Sequence, residues 1–157
     1  MPIRILAALA ALFLAACNPM AQVDGAGEQI ARFHADYNKG DAVALYDRTA
    51  PEFREVTTGE DMQALVETIA ARLGKVESSD RDGINISSDN GQTITVITMA
   101  SQFEQGEATE TFTFLGTGDD MALAGWNVDS PVFAQDLPAE TTNEADLANE
   151  PEAALAE

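Results

Sequence analysis

The sequence predicts an α+β domain, with N-terminal helices packed on a curved antiparallel sheet. Two patterns carry this reading. Apolar residues recur at helical spacing across residues 30–73, and across residues 84–129 they alternate between tight turns. A third observation sets the scale: 157 residues with one cysteine allow a single folded unit that forms no internal disulfide.

The helices come first. Ile30, Phe33 and Tyr37 share one helical face, and their helix is expected to end near Lys39-Gly40. Asp41 is placed to cap a short second helix through Val43, Leu45 and Tyr46, which stops before Pro51. Met62, Leu65, Val66, Ile69 and Leu73 make the stripe of a third helix, with Thr57 or Thr58 at its start and Gly74 at its end.

The strands follow. Ile84 and Ile86 precede Asp89-Asn90-Gly91, a two-residue hairpin signal. Residues 92–104 read as a long strand, Gln105-Gly106 as a tight turn and residues 107–115 as the returning strand. That turn sets Phe103 opposite Ala108, Ser101 opposite Glu110, Met99 opposite Phe112 and Ile97 opposite Phe114. These eight residues share one face, with Thr98, Thr109, Thr111 and Thr113 on the other. Gly116-Thr117-Gly118-Asp119-Asp120 turns the chain into a last strand over residues 121–129. Asp80-Arg81-Asp82-Gly83 has its glycine too early for a calcium loop and no downstream glutamate in place, so it is read as a turn.

The N-terminus has the order of a secretory signal: one charge at Arg4, an apolar run over residues 5–14, then small residues before Cys17. It is too short for a lasting transmembrane helix, which needs about 20 apolar residues. Leu14-Ala15-Ala16-Cys17 resembles the bacterial lipobox. The resemblance implies cleavage before Cys17, acylation of that cysteine with chains such as palmitate, and a membrane anchor facing an extracytoplasmic space. Asn18 after the cysteine implies the outer membrane, on the periplasmic side. Each buried methylene contributes about 0.8 kcal/mol, so two or three chains hold firmly where one does not. The expected organisation is a signal peptide over residues 1–16, a flexible tether over 17–27, the domain over 28–130, and an acidic disordered tail over 131–157. Seven acidic residues and a single aromatic, Phe133, leave that tail too little apolar surface to offset its ordering entropy.

Cleaved before Cys17, the chain keeps 7 basic and 27 acidic residues, a formal net charge of −20. From Val76 onward 17 acidic residues face only Arg81. Nucleic acid and anionic headgroups are thereby excluded, because binding phosphate needs Lys and Arg. A small apolar ligand, a protein partner and a homodimer all stay compatible.

The order of elements, together with Tyr37-Asn38-Lys39-Gly40-Asp41 and Ala50-Pro51-Glu52-Phe53, resembles the nuclear transport factor 2-like, or cystatin-like, superfamily, and within it a secreted bacterial branch. The resemblance implies a cone-like sheet wrapped round a long helix, a pocket at its open end, and dimerisation through the outer sheet face.

Glu110 is the candidate acid/base. It shares a face with Phe112 and Phe114, and a carboxylate among apolar side chains has its charged form disfavoured, which is how a proton shuttle near neutral pH is made. Ser101, Phe103, Phe112 and Trp126 are the candidate pocket residues. His34, the only histidine, is read as a boundary residue of the first helix, and no second histidine completes a zinc site. No cofactor and no metal are called for. The leading function is a lipid-anchored binding or interaction module. The alternative is a cofactor-free enzyme of isomerase or lyase type, since isomerases of the resembled superfamily use a pocket carboxylate.

Overall fold

A computed structural model describes residues 19–134. Helix α1 (Pro19–Tyr37) opens on a proline, which a helix tolerates in its first turn. It buries Gln22, Ala26, Ile30, Phe33 and Tyr37 on one face. Residues 19–27, expected as tether, are thus its first two and a half turns. Gly25 and Gly27 each cost about 1 kcal/mol in a helix. Packing overrides that cost: Ala26 is fully buried, and the Gln22 amide donates to Thr95 Oγ1 at 3.0 Å and to the Gly116 carbonyl at 2.9 Å. The helix ends where expected, at a turn with Gly40 at φ 71°.

Helix α2 (Ala42–Asp47) is capped by Asp41, whose carboxylate accepts from the Ala44 N–H at 3.0 Å. Pro51 stops nothing further; it opens a helix the sequence reading did not anticipate, α3 (Pro51–Val56). A proline ends one helix and starts the next equally well, because its missing N–H is unneeded at the first position. Helix α4 (Gly59–Leu73) begins with a reciprocal capping box between Thr58 and Asp61 and ends at Gly74, φ 76°. Its stripe is buried at Met62, Val66, Ile69 and Leu73, whereas Leu65 stays exposed.

The sheet is a four-stranded antiparallel meander in the order β1 (Val76–Asp89), β2 (Gln92–Phe103), β3 (Gly106–Leu115) and β4 (Ala122–Asp129). Asn90 and Gly91 both have positive φ, the left-handed pair a tight hairpin needs. Asp80 to Gly83 form no turn: they lie inside β1, where a bulge falls between Arg81 and Gly83. The β2–β3 register also differs from the expected one by two residues. Phe103 pairs with Gly106, Ser101 with Ala108, Met99 with Glu110 and Ile97 with Phe112. The loop is Glu104-Gln105, because the N–H groups of Glu104 and Gln105 are tied to the carbonyls of Lys75 and Leu73 at the end of α4. A slip of two preserves the face of every side chain, so all eight residues expected to share the inner face are buried.

The core lies between this inner face and the helices, with Phe103, Phe112, Leu45, Met62, Leu73 and Ile97 at its centre. At the other end of the chain, Pro131–Ala134 form a short helix, α5, where disordered tail was expected. Val132 and Phe133 pack on the core, and the Arg72 guanidinium sits 5.9 Å from the centre of the Phe133 ring. Residues 135–157 of the expected tail, and Leu14-Ala15-Ala16-Cys17 of the expected lipobox, lie outside the described residues. Among the described residues no helix is long and apolar enough to cross a membrane.

Candidate functional site

Glu110 has no exposed surface. Strand alternation turns it inward between Ala108 and Phe112, and each neighbouring element brings it a donor. From β4, Trp126 Nε1 donates to Oε1 at 3.0 Å. From β2, Ser101 Oγ donates to Oε2 at 2.5 Å, diagonally across the ladder rather than from the directly opposite position. From α1, His34 Nε2 lies 2.9 Å from the same oxygen. From β1, Ser79 Oγ lies 2.7 Å from Ser101 Oγ. The Ser101 proton is committed to Glu110, so Ser79 is the donor of that pair.

Ionised, Glu110 only accepts, so His34 must carry its proton on Nε2, either as that neutral tautomer or as the imidazolium. Burial opposes the carboxylate charge and the three hydrogen bonds support it. Aromatic rings close the surroundings. His34 packs edge-on to Phe33 and Phe112, and Trp126 stacks on Phe112. Tyr37, whose hydroxyl donates to the Gly74 carbonyl at 2.9 Å, has its pKa pushed well above the usual tyrosine value. Burial is the largest cause, followed by the charges of Glu110 and Glu104.

The sequence-derived candidates separate here. Ser101 and Trp126 do meet Glu110. Phe103 and Phe112 have no exposed surface and are core rather than pocket wall. His34, read as a boundary residue, is a direct partner of Glu110. Its spacing held the signal, since His34 follows Ile30 by four and precedes Tyr37 by three. Nothing local pointed to Ser79. Among the described residues no group of three His, Cys, Asp or Glu side chains is arranged to hold a metal ion.

The large cavity lies elsewhere. A groove of about 670 Å³ opens beside the β2–β3 turn, away from Glu110. Its floor is two rows on the outer sheet face: Asp80, Ala100, Thr109 and Asp129 in register across all four strands, and Ser78, Gln102 and Glu107 beside them. Ser130, Pro131 and Ala134 complete its wall. Three carboxylates and no basic side chain line it. Ser101 is the one residue common to this lining and to the Glu110 cluster. A second cavity, of about 10 Å³ against Phe33 and Phe114, has room for at most one water.

Compared with known proteins, the chain matches no family model, no curated protein and no solved structure.

Proposed function

We propose that this chain is a lipid-anchored, extracytoplasmic binding or interaction module, built on a cystatin-like, nuclear transport factor 2-like domain and held to the membrane through Cys17. One observation carries the choice of binding over catalysis. Glu110 is wholly buried, and both of its oxygens are engaged by protein groups, so no face of the carboxylate is open to a substrate. The order of charge, apolar run and small residues before Cys17 supports the anchor. Helices followed by an antiparallel meander support the superfamily reading.

The ligand site in this reading is the outer-face groove. Its volume falls within the roughly 300–1,000 Å³ of small-molecule sites. Asp80, Glu107 and Asp129 disfavour an anion and suit a polar or cationic ligand better than an apolar one. The enzymatic alternative, an isomerase or lyase with Glu110 as acid/base, has one contact in its favour. The His34 side chain is 12 % exposed and touches Glu110, which gives a proton a path between carboxylate and solvent.

Native mass spectrometry of the chain, purified gently from the cell envelope, tests the reading. A reproducible extra mass that survives Glu110→Gln and is lost in Asp80→Lys or Asp129→Lys supports the groove. An extra mass lost in Glu110→Gln alone, with turnover of that compound falling alongside, would sink it in favour of the enzyme. Incorporation of labelled palmitate, abolished by Cys17→Ser, tests the anchor.

A further inference from the structure

The two ends of the domain differ, and α1 runs from one to the other. At the first end the Gln22 amide meets Thr95, near the start of β2, and the carbonyl of Gly116 in the β3–β4 connection. The Gly116 N–H donates in turn to the Thr93 carbonyl, and the β1–β2 turn at Asn90-Gly91 lies just before Thr93. At the second end Tyr37 packs edge-on to Phe103, and Asn38 is hydrogen-bonded to Val76, the β1 partner of Phe103. Gln22 to Asn38 is about 24 Å of helix and Thr95 to Phe103 about 27 Å of strand, so α1 runs alongside β2 in the same direction. The groove, beside the β2–β3 turn, belongs to the second end, as does α5.

The link between anchor and helix is short. Asn18 alone separates Cys17 from Pro19, the first residue of α1. Two residues of extended chain span at most about 7 Å. An acylated Cys17 is fixed at the membrane interface, so the start of α1 stays within that distance of it.

We propose that, with Cys17 anchored as proposed above, the bilayer surface is a docking partner of the domain. The domain stands on it by the start of α1, the β1–β2 turn and the β3–β4 connection, with the groove facing away. Two observations favour standing over lying flat. The solvent-facing stripe of α1 holds Asp24, Gly27, Glu28, Ala31, Arg32 and Ala35, whereas a helix bound along a bilayer needs large apolar side chains and many cations. Charge acts in the same sense. Residues 19–75 hold ten acidic and six basic side chains, and residues 76–129 hold ten and one. Lying on the outer sheet face would press Asp80, Glu107 and Asp129 against lipid phosphates. Upright, the row from Asp80 to Asp129 stands about 25 Å from the anchor, some three Debye lengths at physiological salt. Asp89, Asp119 and Asp120 keep the near end on the headgroups and out of the hydrocarbon. A ligand of the groove is thereby drawn from the aqueous side and not from the lipid.

Headgroup quenching tests the pose in the full-length lipidated chain. Acylation consumes the thiol of Cys17, so a cysteine introduced elsewhere is the one that takes a dye. The carriers are phosphatidylethanolamine–phosphatidylglycerol vesicles with nitroxide-labelled headgroups. A dye at Asp119→Cys, near end, is expected to be quenched several-fold more than one at Gln105→Cys, far end. A Gly-Ser spacer of about 12 residues between Asn18 and Pro19, with a root-mean-square span of about 20 Å, removes that difference. Intact mass reads the anchor separately. A chain without acyl chains on Cys17 overturns the anchor and the pose together. An acylated chain quenched equally at both positions overturns the pose alone, as does a difference that survives the spacer.

Discussion

The two faces of this sheet use their carboxylates in opposite ways, and β3 supplies both. On the helix side, Glu110 is sealed among aromatic rings, with donors from α1, β2 and β4. Three positions earlier, Glu107 lies on the outer face with Asp80 and Asp129, around a groove with no basic side chain. Burial explains the contrast. A carboxylate removed from water must find its hydrogen bonds within the protein, whereas an exposed one is served by solvent and can remain open to a ligand. The inner carboxylate is therefore expected to govern stability and the outer ones binding.

The largest effect tests the packing behind that seal. Phe112→Ala removes a ring with no exposed surface that meets Phe33, His34, Phe114 and Trp126, and should cost about 4 kcal/mol in denaturant unfolding. Glu110→Ala comes next. It strands the donors of Ser101, His34 and Trp126, and is expected to cost about 3 kcal/mol, a fall of roughly 10 °C in Tm. A loss under about 1 kcal/mol would mean that water reaches the site and that the two faces are alike.

Alkaline pH sharpens the same contrast. Tyr37 has a raised pKa, so the folded chain keeps its phenolic proton where the unfolded chain has released it. Stability from this group is complete below the ordinary tyrosine value of about 10 and declines as the pH rises beyond it. Tyr37→Phe should flatten that decline, and a profile unchanged by the substitution would remove Tyr37 as its source. Thr58→Ala serves as a control away from both faces, and loss of the capping box should cost about 1 kcal/mol. The smallest effect belongs to the groove. Asp80→Asn and Asp129→Asn should each change stability by no more than about 0.5 kcal/mol while weakening retention of any bound mass.

Much of the fold was legible in local pattern. Asp41, Thr58 and Gly74 mark helix ends through hydrogen bonds or backbone conformations within a few residues, and Asn90-Gly91 does the same for a hairpin. The first turns of α1 were hidden because Gly25 and Gly27 argue against helix, and what explains their order is distant: the burial of Ala26 and the contacts of Gln22 with Thr95 and Gly116, 73 and 94 residues away. The groove was equally hidden. Its floor needs Asp80 and Asp129 to arrive in one row across four strands, and Asp80 read as part of a turn.

The sequence by itself determined which residues of β2 and β3 face inward, and so that Glu110 would be buried with Phe112 and Phe114. Facing depends on parity along a strand, which survives a register error of two. Tertiary structure alone decided what Glu110 meets there. The end of α4 captures the β2–β3 loop and sets the register, α1 brings His34 across 76 residues, and β4 brings Trp126. Those contacts form only when distant elements pack, and they engage both oxygens of Glu110.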